Sequence, residues 1–241
     1  MRFPALTGLI RRRLLVNFRA DPDVVVSRLP DGMKPKLSGE LGMVGVCLIR
    51  LEKIRPRGIP FFPPITSENA AYRFAVTTNR GEDAVYIPRR ETSSLVSHLA
   101  GGRVFPGEHH FSRFEISDSD GEIEFSMTPR SGAGSVIHIR ATETDRFPDQ
   151  SLFSDLAAAS AFFKTGSRGY SKCVRRPECL DCIDLKIADW QASALDVKEV
   201  RVDFFESGNF GFPSGSVEFD HALLMRDIPH EWQAGEDWKI E

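Results

Sequence analysis

The chain reads as a mostly antiparallel β protein of α+β class. Three observations predict this. Apolar and polar residues alternate with period two in segment after segment. Turn signals separate neighbouring segments at short spacing, as at Asp118-Ser119-Asp120-Gly121. Only three stretches carry helix signals, and each is short. A meander of this kind closes as a barrel or packs as a sandwich.

Taken in order, residues 9–19 partly alternate and predict a strand. Asp21 can cap a short helix with Pro22 in its first turn, and Pro30-Asp31-Gly32 ends it. Residues 41–54 form a long apolar strand whose Gly42 and Gly45 suggest a bend or a close backbone approach. The proline-rich segment after it is a loop, because its prolines remove ladder donors. Its Phe61 and Phe62 are expected to pack on the loop's own base, or else to cover a pocket mouth. Residues 68–79 put Tyr72, Phe74 and Val76 on one face and Ala71, Arg73, Ala75 and Thr77 on the other. A turn leads to A-V-Y-I-P, and a helix capped near Thr92 closes at Gly101.

His110 to Ser117 alternates again, a hairpin returns through Ile123, Phe125 and Met127, and V-I-H-I-R-A-T-E makes a further strand. A helix is expected from Ser151, ended by Gly166. The G-S-R-G-Y-S segment and the cysteine region read as a loop, followed by two strand patterns. G-S-V-E-F-D-H-A-L-L-M-R fits a strand or a buried edge equally well. With no repeat or linker, the expectation is one domain over residues 1–241.

Composition bounds the function. The chain has 241 residues, 41% hydrophobic and 27% charged, with a formal net charge of -3. That gives no global electrostatic footprint for nucleic acid. No apolar run approaches the roughly 20 residues of a membrane span, and the basic Arg11-Arg12-Arg13 start lacks a signal peptide's apolar block. The expected location is cytoplasmic. Cys47 sits in an apolar strand. Cys173, Cys179 and Cys182 form C-x5-C-x2-C, which lacks the second pair of a strong zinc signature, so free thiols are expected and no metal or cofactor.

Four motifs in order carry a resemblance: F-R-A-D-P-D-V-V-V-S-R-L-P-D-G, the strand start T-S-E-N, G-G-R-V-F-P-G-E-H-H and F-D-H-A-L-L-M-R. Together they resemble the acetoacetate decarboxylase-like superfamily, and more closely its uncharacterised conserved branch. The resemblance covers most of the chain. It implies a cone-shaped closed β-barrel with flanking helices, often assembled as a homo-oligomer. It also implies a pocket glutamate and arginine, and in the decarboxylases a lysine that forms a Schiff base with a keto acid. By match, Glu68 is the glutamate, and Arg11 falls near the carboxylate-binding arginine, with Arg12 and Arg13 within one or two positions. Arg103 belongs to the Gly-Arg that precedes the family's lysine pair. The chain departs next: Glu108-His109-His110 stands where the decarboxylases have Pro-Lys-Lys, and no lysine occurs between Lys53 and Lys164.

The expected site is therefore Glu68, His109 and His110 as candidate acid–base residues, with Arg11 and Arg103 binding substrate. A Schiff-base decarboxylase is not expected. Adjacent strand residues face opposite ways, so at most one histidine points inward. Two functions stand: acting on or binding a small carboxylate or keto compound in the barrel, or a non-catalytic barrel for an apolar ligand. No nucleic acid or membrane partner is expected.

Overall fold

The computed structural model describes residues 4–102, 105–132, 134–206 and 211–240. In chain order the elements are β1 (Leu6–Ala20), α1 (Pro22–Val26), β2 (Met33–Pro35), β3 (Leu37–Ser38), β4 (Leu41–Pro56), β5 (Ile65–Thr78), β6 (Asp83–Thr92), α2 (Leu95–Ala100), β7 (His109–Ser119), β8 (Glu122–Pro129), β9 (Ile137–Thr144), α3 (Leu156–Lys164), β10 (Arg168–Lys172), β11 (Cys179–Ile187), β12 (Ser193–Val202), β13 (Val217–Ala234) and β14 (Trp238–Lys239).

One sheet closes on itself. Pairing runs β1-β4-β5-β6-β7-β8-β9-β12-β13 and back to β1, a closed mixed barrel of nine strands. Its two parallel contacts, β6 with β7 and β6 with β10, interrupt an otherwise antiparallel ladder. The first needs a crossover, which α2 supplies. The sheet also closes a second way. β6 continues to β10 and β11, and β11 pairs with the far end of β13. Strands β13, β1, β4, β5 and β6 thus form a wall shared by two enclosures.

Alternation along that wall supplies two cores. Leu14, Val16, Leu48, Tyr72 and Phe74 pack against Phe125, Met127 and Ile139 inside the nine-strand ring. Leu15, Cys47, Ile49, Leu51 and Met225 face the other way, onto Phe153 and Phe163 around α3. The faces read from residues 71–77 hold: Tyr72, Phe74 and Val76 join the first core and Ala75 the second.

Three expectations are corrected and one open reading is settled. The segment read as a loop before residue 183 contains β10 and the start of β11; its Gly-rich sequence has little alternation, and pairing with β6 makes it strand. The ambiguous last pattern is β13, which pairs with β1, β11 and β12. Phe61 does not pack on its loop, being 95% exposed. The third helix also starts later than read. Asp155 caps it, its Oδ1 accepting the Ala158 amide at 2.7 Å, while Ser151 and Leu152 donate to Asp220 on β13.

Among the described residues, no helix is long and apolar enough to cross a membrane.

Candidate functional site

The second enclosure holds a cavity of about 210 Å³. Its walls are mainly apolar: Leu15, Ile49, Leu51, Ile65, Phe105, Ile183 and Trp232 among others. The arginines and the histidine facing it come from strands of the shared wall and from β7. Their arrangement follows from register. Arg13 pairs across to Ile49 and then Asn69; Leu15 pairs to Cys47, Ala71 and Arg90; Asn17 pairs to Gly45 and Arg73. Three arginines therefore surround the patch of floor made by Cys47 and Ala71.

Each arginine is held differently. Arg13 Nε donates to Cys47 Sγ at 3.4 Å, and its guanidinium lies 5.5 Å from the Trp190 ring centre. Arg73 is 6% exposed, donates through Nη2 to Asn17 Oδ1 and covers the Phe163 ring at 4.8 Å. Among the described residues its Nε has no partner and no acidic side chain pairs with it. Burial pushes its pKa down to about 10. Arg90 donates to Ser171 Oγ; burial pulls it down to about 10 as well, with Asp181 acting in the opposite sense.

Gly45 makes the Arg73 arrangement possible. A Cβ there would lie 2.3 Å from the Val16 carbonyl oxygen, so the position excludes side chains, and Asn17 and Arg73 meet across the gap.

His109 opens β7 beside Arg90 and lines the cavity. Its Nδ1 lies 3.3 Å from the Gly107 carbonyl, to which it can donate. Burial, then the nearby Arg90 charge, drives its pKa to about 3. The imidazole is neutral at pH 7. His98 on α2 bonds the His109 carbonyl through Nδ1 and fixes the strand start.

The other expected residues lie elsewhere. Glu68 is on the opposite face of β5 from the cavity residues Ser67 and Asn69. It accepts from Arg12 at 2.9 Å and Arg50 at 3.1 Å, and Arg12 continues to Asp118 at 3.3 Å. Arg11 is exposed at the shift in register between Ile10 and Arg12, paired with Glu52 and Asp227. His110 points away from His109, 3.8 Å from Glu108, with its pKa lowered by burial and then by Arg89. Arg103 lies outside the described residues. Of the expected set, only His109 among the described residues lines the cavity. Sequence reasoning did not single out Arg73, Arg90, Asn17 or Cys47. The available signal was an arginine at position 73 flanked by Ala71 and Ala75 on an otherwise small, apolar strand face.

All four cysteines are free and buried. No cluster of three or more His, Cys, Asp or Glu side chains suited to a metal exists among the described residues.

This fold, a closed mixed barrel of nine strands, is that of the acetoacetate decarboxylase-like proteins. The chain belongs to the family described as DUF2071, "Uncharacterized conserved protein (COG2071)", whose profile matches residues 9–221. Among solved structures it is similar to the acetoacetate decarboxylase of Legionella pneumophila subsp. pneumophila str. Philadelphia 1, with TM-score 0.67, 10% identity, and 98% of this chain and 89% of that one covered. It is also similar to the enduracididine biosynthesis enzyme MppR complexed with pyruvate, with TM-score 0.61, 12% identity, and 100% and 91% covered. An acetoacetate decarboxylase-like enzyme from Sphingomonas wittichii RW1 gives TM-score 0.61, 12% identity, and 98% and 92% covered. At such identities the likeness concerns the fold. No curated protein matches the chain.

Proposed function

We propose that the protein binds a small carboxylate-bearing molecule in this cavity, its anionic group on Arg73 and Arg90 and its apolar part against Ile49, Leu51, Ile65 and Phe105. One observation carries the reading: Arg73 is a buried cation with a free Nε and no acidic partner among the described residues. An unpaired buried charge is costly, and a carboxylate supplies the missing partner through charge-assisted hydrogen bonds. The pyruvate complex of one structural neighbour is in keeping with this ligand chemistry.

Binding is favoured over acid–base catalysis. A histidine with a pKa of about 3 has no proton to give at pH 7 and is a weak base. No lysine is among the described residues lining the cavity, which speaks against Schiff-base chemistry.

The test is calorimetric titration of pyruvate, acetoacetate and hexanoate into wild type and Arg73→Met. Wild type should bind at least one acid, and Arg73→Met should bind it at least tenfold more weakly. Equal affinity for both proteins overturns the reading. Incubation with pyruvate and borohydride should leave the intact mass unchanged; a reduced adduct on a lysine would restore the decarboxylase-type chemistry.

A further inference from the structure

Behind the cavity floor, β1 and β13 carry a polar chain buried within the second core. Arg73 Nη2 donates to Asn17 Oδ1. Asn17 Nδ2 lies 2.9 Å from His221 Nε2 and 3.2 Å from the Leu15 carbonyl. His221 Nδ1 lies 2.5 Å from Asp220 Oδ1. Asp220 in turn accepts from Ser151 Oγ at 2.6 Å and the Leu152 amide at 3.0 Å. His221 and Asn17 are fully buried, and Phe147, Phe153 and Phe163 ring the imidazole.

Donor and acceptor capacity fixes every proton in this chain. A guanidinium only donates, so the Asn17 atom facing Arg73 must be the oxygen. The Asn17 NH2 then faces two acceptors, the Leu15 carbonyl and His221 Nε2. Nε2 must carry a lone pair, so the imidazole proton sits on Nδ1 and points at Asp220. Asp220 accepts from everything around it and is held below the usual carboxylate range against the cost of burial, chiefly by the His221 and Ser151 hydrogen bonds.

We propose that Asp220 and His221 are positioning residues that lock the Asn17 amide with its oxygen towards Arg73, and so hold the Arg73 guanidinium in place on the cavity wall. The inference rests on the carboxylate-binding reading of that cavity. An amide turned the other way would place an NH2 group against the guanidinium. Arg73 would then lose the acceptor on Nη2, and its orientation with it. Together with the Leu15 carbonyl, His221 Nε2 is the acceptor that holds the Asn17 NH2 on the side away from Arg73.

Two measurements on the full chain test this. Long-range proton–nitrogen NMR of the histidine rings reads the His221 tautomer, with assignment by His221→Gln. The expected form is Nδ1–H; Nε2–H overturns the chain. Titrations of pyruvate, acetoacetate and hexanoate then compare wild type, His221→Gln and His221→Leu. Glutamine retains an acceptor for Asn17 and a donor for Asp220, and should bind within threefold of wild type. Leucine keeps the bulk but not the acceptor, and should bind at least tenfold more weakly. Leucine binding as wild type overturns the positioning role, as does a tenfold loss in the glutamine variant with an unchanged fold by circular dichroism. If His221→Leu does not fold, the tautomer and the glutamine variant decide. A wild type that shows the Nδ1–H form but binds none of the three acids sinks the carboxylate reading, and with it the purpose assigned to the chain.

Discussion

Arg12 and Arg13 are neighbours in sequence and serve opposite sides of the same sheet. Arg12 lies 2.9 Å from Glu68 in a buried ion pair of the nine-strand ring, while Arg13 lies 3.4 Å from Cys47 on the cavity side. Strand alternation makes the two positions exclusive. The chain's charges thus divide into a paired set, neutralised within the barrel, and a cavity set that is not fully paired.

The paired set should matter for stability and not for ligand. Arg12→Met leaves Glu68, itself 8% exposed, with only the half-exposed Arg50. Removing one partner of a buried pair costs about 3–5 kcal/mol. The low end is expected because Arg50 remains. Urea unfolding should show the loss, while carboxylate affinity stays within twofold of wild type.

The cavity set should behave in the reverse way. Arg73→Met removes a buried cation that lacks an acidic partner, so stability should be unchanged or higher although binding is lost. Thermal unfolding without ligand checks this. A drop in stability above about 2 kcal/mol would show that Arg73 is chiefly a structural residue.

Acid should weaken the fold from about pH 6.5 downward. Burial lowers the pKa of His109 to about 3, of His230 to about 4, and that of His221 as well. The unfolded chain takes up these protons near pH 6.5, and the folded chain does not. Stability is therefore full above pH 6.5 and falls as pH drops towards the folded values, by about 1.4 kcal/mol per pH unit for each such group. Unfolding free energies between pH 7.5 and 5 should show the slope. His230→Phe should reduce it by about one proton; an unchanged slope would remove His230 from the account.

Of the four buried thiols, Cys47 lines the cavity and touches Arg13. A ligand seated over Cys47 and Ala71 should shield that sulfur. Alkylation of Cys47 by iodoacetate, followed by peptide mass spectrometry, should slow at least fivefold under saturating ligand. Labelling at the same rate would place the ligand elsewhere.

How much the sequence showed depends on the residue. Tyr72, Phe74 and Val76 were legible as one face of a strand because period-two alternation is local. His109 was legible as one of two histidines, of which only one could face inward. Arg73 was visible on the face opposite Tyr72, but nothing local marks that face as lining a cavity. β10 was not legible, since its strand character comes from β6 and β11 rather than from its own residues.

The sequence by itself determined the strand class, the pairs of residues that must part to opposite faces, and the lack of any lysine between Lys53 and Lys164. Only the tertiary structure decided which face is which. The register shifts between Ile10 and Arg12 in β1, and between Tyr72 and Phe74 where β5 meets β6, change which side chains face inward. A one-residue slip sends every later side chain to the other side of the sheet. That is why Arg12 rather than Arg11 reaches Glu68, and why Arg90 rather than Arg89 reaches the cavity. The meeting of Arg13, Arg73 and Arg90 around Cys47 is a matter of register between strands far apart in sequence, which the residues of any one strand do not encode.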